Sequence, residues 1–151
     1  MAGWNAEARR FLEAHRVGHL STAGADGAPH VIPVCYAVDA QAIYFVADEK
    51  PKRRPARALR RLANLRENPR AALVVDDYDD DWTRLAYLLV RGPTAFVHEP
   101  AAHAAALRLL RVRYPQYNAM ALDDPERNPV VRIEPARVAL WRAAGRGASR
   151  V

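Results

Sequence analysis

The chain has 151 residues, of which half are apolar and 26% are charged, a balance typical of one globular domain with its own hydrophobic core. The formal net charge is +6, and the single cysteine, Cys35, excludes an internal disulfide. No apolar run approaches the ~20 residues that a membrane-spanning helix needs. The N-terminal residues are charged and amphipathic, unlike a signal peptide, so we expect a cytoplasmic protein with no membrane partner.

The first third of the chain predicts one helix followed by three strands. Asn5 is a candidate N-cap for a helix that ends near His15. The strands are predicted at residues 17–23, 30–38 and 42–47. Pro33 interrupts the second strand, which favours an edge position or a bulge because proline donates no ladder hydrogen bond.

The rest of the chain predicts two more helices, each followed by strands. A helix over residues 55–68 places its leucines on one apolar face and its arginines elsewhere, and a second helix covers residues 100–114. Strands are predicted at residues 70–78, at residues 83–99 with a break at Gly92-Pro93, and at residues 130–142 with a break at Pro135. The tail, residues 143–151, is predicted to be loose.

The connections between the early strands have hairpin length, which favours antiparallel pairing over a doubly wound parallel sheet. We therefore predict a mainly β fold, a small antiparallel barrel with helices at its rim. The barrel is expected over residues 11–142 of a single domain that covers residues 1–151.

Common catalytic and metal-binding motifs are absent from the sequence. None of the five histidines stands at the spacing of a zinc site, so we predict no metal centre. The five carboxylates of residues 76–82 lack the central glycine and the ligand spacing of a calcium loop, so a solvated loop is favoured. No G-x-S-x-G, P-loop or G-x-G-x-x-G motif occurs.

Residues 50–61, the basic segment, hold seven lysines and arginines, so the rest of the chain carries 16 basic against 17 acidic residues. A solvated basic face and a surface that tracks nucleic acid are two interpretations. The segment lies between a strand end and a predicted helix start, where N–H groups and cations can together hold one phosphate. The segment contains no aromatic residue for base stacking, which disfavours nucleic acid as a partner.

The strand "PHVIPVCYAV", the basic segment and "LRRLANLRENPRAALVVDDYDDDWTRLAYLLVRG" occur in this order. This combination resembles the pyridoxamine-phosphate-oxidase-like split β-barrel family over residues 11–141. Within the family the chain is most similar to the deazaflavin-dependent branch, which uses coenzyme F420 in place of FMN.

The resemblance implies a homodimer of FMN-binding split β-barrels with two cofactor sites at the subunit interface. One strand would run along the flavin-like ring, and its residues are His30, Val31, Ile32, Pro33 and Val34. A second strand would end nearby, at Phe45, Val46 and Ala47. The basic residues would take the cofactor phosphate: Lys50, Lys52, Arg53 and Arg54. Trp82 and Arg84 would reach the cofactor, within one subunit or across the dimer.

The long cationic track favours the deazaflavin, whose tail adds a phosphodiester and carboxylates to the single phosphate that FMN presents. The function that the resemblance implies is hydride transfer between this cofactor and a small organic substrate, with the chemistry supplied by the cofactor. We assign no catalytic residue. The alternatives are an FMN-dependent enzyme, a split barrel that binds cofactor without turnover and, more remotely, a nucleic-acid-binding module.

Overall fold

The computed structural model describes residues 3–48, 59–143 and 149–150, which contain three α-helices and nine strands. The helices are α1 (Ala6–Ala14), α2 (Arg60–Glu67) and α3 (Pro100–Arg113). The strands are β1 (Gly18–Ala23), β2 (Pro29–Val34), β3 (Ala37–Val38), β4 (Ile43–Val46), β5 (Arg70–Asp77), β6 (Ala86–Val97), β7 (Val130–Ile133), β8 (Arg137–Arg142) and β9 (Ser149–Arg150). Within these ranges no helix is long and apolar enough to cross a bilayer.

The strands form one curled sheet in the order β2-β1-β5-β6-β7-β4-β3, and β8 adds to β6. Every strand pair is antiparallel. The prediction of a mainly β, antiparallel split barrel with flanking helices is therefore confirmed.

Two groups of buried side chains hold the helices against the sheet. The larger group fills the barrel with residues such as Leu20, Leu73 and Leu88, each at most 1% exposed. The smaller group joins α3 to β4 and β7 through residues such as Leu107 and Leu110. Burying one such leucine stabilises the fold by about 1.5–3 kcal/mol, so these two groups are the main source of stability.

Helix α1 forms as the sequence predicts. The side chain of Asn5 accepts a hydrogen bond from the Ala8 N–H at 2.7 Å, which satisfies one of the free donors of the first turn. Phe11 and Leu12 are buried and attach the helix to the barrel.

The predicted strand over residues 30–38 is wrong as one continuous strand, because the ladder stops at Val34 and resumes at Ala37. Between them, the Tyr36 N–H donates to the Tyr114 hydroxyl at 3.0 Å, and that hydroxyl lies 2.7 Å from the Tyr36 carbonyl oxygen. A buried tyrosine from the end of α3 thus takes the backbone groups that a neighbouring strand would have bound.

The predicted start of the second helix near Pro55 is also wrong. Helix α2 begins at Arg60, because Leu59 has an extended backbone and is the N-cap without a side-chain hydrogen bond. Residues 55–58 lie outside the described residues. Leu62 and Leu65 are buried, which confirms the apolar face of this helix.

The tail that was predicted to be loose contains the two-residue strand Ser149–Arg150, which pairs with β8 at Ala139 and Leu140. Residues 144–148 and 151 lie outside the described residues. The division into a barrel and a tail within one domain stays a prediction.

Strand β6 belongs to both halves of the sheet, and it changes partners at the predicted break. Up to Pro93 it pairs with β5, and from Thr94 it pairs with β7. At the change, the backbone of Gly92 lies against the Glu134 carbonyl, so that a Cβ on residue 92 would overlap the Glu134 oxygen. Only glycine therefore allows this crossing of β6 and the β7–β8 connection.

Gly92→Ala should lower the free energy of unfolding by at least about 2 kcal/mol, because the added methyl group forces two backbones apart. Chemical denaturation measures the change. Gly3→Ala is the matched control, since a Cβ there meets only the Ala40 carbonyl oxygen at 3.7 Å. Equal stability of the two variants would show that the crossing adapts without cost.

Candidate cofactor site

The strand predicted to run along the cofactor ring, β2, lies at an edge of the sheet. Among the described strands it pairs with β1 alone, as Pro33 predicts. Val31 is 60% exposed and Pro33 is exposed, while His30 and Ile32 are half-buried and Val34 is buried. An edge strand presents unpaired backbone N–H and C=O groups, which a planar ligand can bind.

The imidazole of His30 carries a polar atom that lacks a partner. Its Nδ1 is buried and makes no hydrogen bond to any described residue. Buried polar atoms almost always have a partner, so this nitrogen identifies the start of β2 as a place where a ligand or water would be bound.

The predicted contacts at the end of β4 are buried in this chain. Phe45 and Val46 belong to the two apolar groups, and Ala47 is 0% exposed. The Ala47 N–H donates to the Pro129 carbonyl at 3.0 Å, and the Ala47 carbonyl accepts from Asn128 Nδ2 at 2.8 Å. These backbone groups are already used, so the role of Phe45, Val46 and Ala47 in cofactor binding stays a prediction.

A buried polar cluster lies where the chain leaves β4 towards the basic segment. Asp48 is 5% exposed, and its Oδ2 accepts a hydrogen bond from the Tyr117 hydroxyl at 2.9 Å. Burial raises the pKa of Tyr117, and the neighbouring Asp48 carboxylate raises it further, so the hydroxyl keeps the proton that it donates.

Arg61 belongs to the same cluster, which corrects the prediction for the arginines of α2. They were expected a turn or more inside the helix and away from its packed face. Arg60 and Arg61 instead occupy the first turn, and Arg61 is half-buried with an Nε that has no partner among the described residues. Burial lowers the pKa of Arg61, and the Asp48 carboxylate opposes that effect.

The predicted phosphate ligands Lys50, Lys52, Arg53 and Arg54 lie outside the described residues. Asp48 is the last described residue before them, and the described chain resumes at Leu59, directly before Arg60 and Arg61 in the first turn of α2. The cluster of Asp48, Tyr117 and Arg61 therefore links the chain after β4 to the first turn of α2. A tyrosine so far along the chain carried no sequence signal for this role.

Trp82 and Arg84 occupy a short 3-10 turn after β5. Asp81 begins it by accepting hydrogen bonds from the Thr83 N–H and hydroxyl, and these bonds lower the pKa of Asp81. Trp82 is 69% exposed. The Arg84 guanidinium is also exposed and lies 3.7 Å from the Asp81 carboxylate and 3.8 Å from that of Asp79, so acidic neighbours already offset part of its charge.

The described residues of one chain do not bring the predicted parts into one pocket. Arg84 lies just before the start of β6, whereas Val46 pairs with Val130, which pairs with Val97 at the far end of β6. The exposed Trp82 and the β4 end are therefore at opposite ends of a 12-residue strand.

Comparison with known proteins identifies the family. A family model described as pyridoxamine 5'-phosphate oxidase matches residues 5–142, nearly the whole chain. The chain belongs to the pyridoxamine 5'-phosphate oxidase family. The family resemblance predicted from the sequence is therefore confirmed.

One curated relative is a 5a,11a-dehydrotetracycline/5a,11a-dehydrooxytetracycline reductase from Streptomyces rimosus. It is 27% identical over 140 residues, which cover 89% of this chain and 80% of the reductase. Together with family membership, this likeness supports a general oxidoreductase or flavin-binding role.

Two solved structures support the fold. A conserved hypothetical protein from Mycobacterium tuberculosis matches with a TM-score of 0.74 at 25% identity, over 95% of this chain and 87% of that one. A heme-binding protein from Mycobacterium smegmatis matches with a TM-score of 0.78 at 20% identity, over 96% of this chain. This chain spans 56% of the latter protein, so that match shows a shared fold alone.

Tyr117→Phe should lower the free energy of unfolding by about 1–3 kcal/mol at neutral pH, because it leaves the buried Asp48 carboxylate without this hydrogen bond. Thermal or chemical denaturation measures the change. Tyr78→Phe is the matched control, since Tyr78 is 71% exposed and its hydroxyl removal should change little. If both variants unfold like the parent protein, the hydrogen bond from Tyr117 to Asp48 does not stabilise the fold.

Proposed function

We propose that this chain is an oxidoreductase that uses a deazaflavin, coenzyme F420, to transfer a hydride to or from a small organic substrate. The observation that carries the proposal is the likeness to a reductase over 89% of the chain, within the pyridoxamine 5'-phosphate oxidase family. The choice of a deazaflavin rests on the basic segment, whose seven cations exceed what the one phosphate of FMN needs.

The described residues fit such a cofactor at the edge of β2. The unpaired edge of β2 and the orphaned His30 Nδ1 offer polar groups to a planar ring, and Lys50, Lys52, Arg53 and Arg54 would take the phosphate. When bound, the cofactor supplies the hydride chemistry, and the chain binds it, orients it and excludes water. The Tyr36 hydroxyl is buried and lies 2.6 Å from the Leu12 carbonyl oxygen, so it is not available to give a proton to a substrate.

A second copy of the chain would complete this site. Trp82 and the β4 end lie at opposite ends of β6, so Trp82 of one subunit would reach the cofactor that the basic segment of the other subunit holds. The exposed apolar side chains Val31, Tyr87 and Trp82 belong to the surface that such a homodimer would cover.

FMN is the second candidate cofactor, because proteins of this family bind flavins such as FMN. A split barrel that binds cofactor without turnover is a third possibility. Fluorescence titration of the purified protein with each cofactor distinguishes them: the proposal requires tighter binding of the deazaflavin, and equal or tighter binding of FMN would overturn the choice.

Lys52→Ala or Arg53→Ala should weaken deazaflavin binding about 10- to 150-fold, because a charge-assisted contact to phosphate contributes roughly 1.5–3 kcal/mol. The same titration measures the effect. Arg108→Ala is the matched control, since Arg108 is exposed on α3. This variant should bind the deazaflavin as tightly as the parent protein does. Equal losses in all three variants would indicate a diffuse basic surface.

Light scattering of the cofactor-free protein should give about twice the chain mass of 16.9 kDa. The reason is that the proposed site takes residues from two copies. A monomer at micromolar concentration, with cofactor affinity unchanged on dilution, would contradict the shared site.

A further inference from the structure

A surface groove of about 520 Å³ runs between helix α1 and the ends of β5 and β8. Asp77 and Arg142 form its strand side. Its helix side consists of residues that share one face of α1, which are Glu7, Arg10, Phe11, Ala14 and His15. The volume lies within the range of small-molecule sites, about 300–1,000 Å³.

The groove lies on the face of the sheet opposite to the proposed subunit contact. Asp77 pairs with Ala86, and Ala86 pairs with Arg142, so these three residues form one row on the face that α1 covers. Successive residues of a strand point to opposite faces, so Tyr87 lies on the face that the proposed homodimer covers. None of the described residues assigned to the cofactor or to the subunit contact lines the groove. The proposed homodimer therefore leaves it accessible.

Two ion pairs hold charged side chains in place along the groove. The Arg142 Nε lies 3.2 Å from Glu7 Oε1, and the Arg142 guanidinium lies 5.5 Å from the centre of the Phe11 ring. His15 Nε2 lies 2.6 Å from Asp77 Oδ1, and His15 Nδ1 lies 2.7 Å from the Phe11 carbonyl oxygen. Among the described residues, each of the two carboxylates uses one oxygen in its pair, so its second oxygen can accept a further hydrogen bond.

Arg10 adds a cation to the groove that has no partner within the described ranges. Its side chain is exposed and makes no ion pair or hydrogen bond there. The neighbouring cation, Arg9, instead pairs with Glu13 at 2.8 Å and does not line the groove. The groove therefore contains both guanidinium donors and carboxylate oxygens that a ligand can bind.

The charges of the groove indicate the class of ligand. Arg10 and Arg142 supply two positive charges, and Glu7 and Asp77 supply two negative charges, so these four residues sum to zero. A simple anion would meet two carboxylates, and a simple cation would meet two guanidinium groups. A zwitterion satisfies both sets, because guanidinium groups bind a carboxylate through paired hydrogen bonds and a carboxylate accepts hydrogen bonds from an ammonium group.

We propose that this groove binds a small zwitterion of the amino-acid class, either an amino acid or a short peptide. The ligand carboxylate lies against Arg10 and Arg142, and the ligand ammonium group lies against Asp77. Binding involves no redox step and no cofactor, so the proposal goes beyond the oxidoreductase function and is tested without the deazaflavin.

Isothermal titration calorimetry of the full-length, cofactor-free protein tests the site with L-leucine and glycyl-L-leucine, because Phe11 and Ala14 add apolar surface to the groove. Two analogues of leucine are the controls: 4-methylpentanoate lacks the ammonium group, and 3-methylbutylamine lacks the carboxylate. We expect saturable binding of at least one zwitterion and about 10- to 150-fold weaker binding of both analogues, because each analogue loses a charge-assisted contact. Equal binding of an analogue, or no saturable binding of either zwitterion, would overturn the proposal.

Arg10→Gln should weaken the binding of the effective zwitterion at least about tenfold. The melting temperature should not change, because Arg10 has no described partner to lose. Arg9→Gln is the matched control, since Arg9 is the adjacent cation of α1 and does not line the groove. This variant should bind the zwitterion as the parent protein does.

Asp77→Asn removes a charge but keeps an oxygen that can accept a hydrogen bond from His15. It should weaken the binding of the zwitterion without weakening that of 4-methylpentanoate, a difference that a general loss of structure would not produce. Unchanged zwitterion binding in both Arg10→Gln and Asp77→Asn would refute the site.

Discussion

The close approach of Gly92 to the Glu134 carbonyl is the contact on which the arrangement of the barrel depends. It lets one strand, β6, pair with β5 and β8 before the bend and with β7 after it. Through β7, the same strand holds β4, which leads to Asp48. Through β5, it fixes the turn that carries Trp82 at its other end. The end of β4 and Trp82, two of the proposed cofactor contacts, therefore lie at opposite ends of one bent strand.

The buried cluster of Asp48, Tyr117 and Arg61 adds a second constraint. Burying a carboxylate and a guanidinium costs free energy, which the hydrogen bond and their mutual attraction offset only when the geometry is kept. Such a cluster favours one arrangement of Asp48 relative to the first turn of α2 over others.

Much of the fold could be predicted from local sequence chemistry. Asn5 specified the start of α1, Pro33 an edge strand, and the Gly92-Pro93 pair the bend of β6, because each acts on its own backbone or on that of the next few residues. The interruption at Tyr36 could not be predicted, because it depends on a hydroxyl 78 residues away. The prediction of where α2 begins was wrong for a related reason, since the helical periodicity of residues 55–59 does not fix the first residue of a helix.

The candidate site was less accessible to sequence reasoning. The charge of the basic segment was evident, but the burial of Arg61 was not, because an arginine in a basic run is normally solvated. Arg91 and Arg137 lie opposite each other on β6 and β8, although they are 46 positions apart in the chain. This pairing could not be predicted from the sequence, because it depends on the register of the two strands.

The shared site is tested most directly by mixing two deficient variants, Lys52→Ala and Trp82→Ala, and measuring deazaflavin binding in the mixed dimer. If Lys52 of one subunit and Trp82 of the other serve the same cofactor, one of the two sites in a mixed dimer has both residues intact. The account predicts that high-affinity binding returns at one site per mixed dimer. No recovery, with both variants folded, dimeric and separately deficient, would mean that both residues act within one chain and would contradict the account.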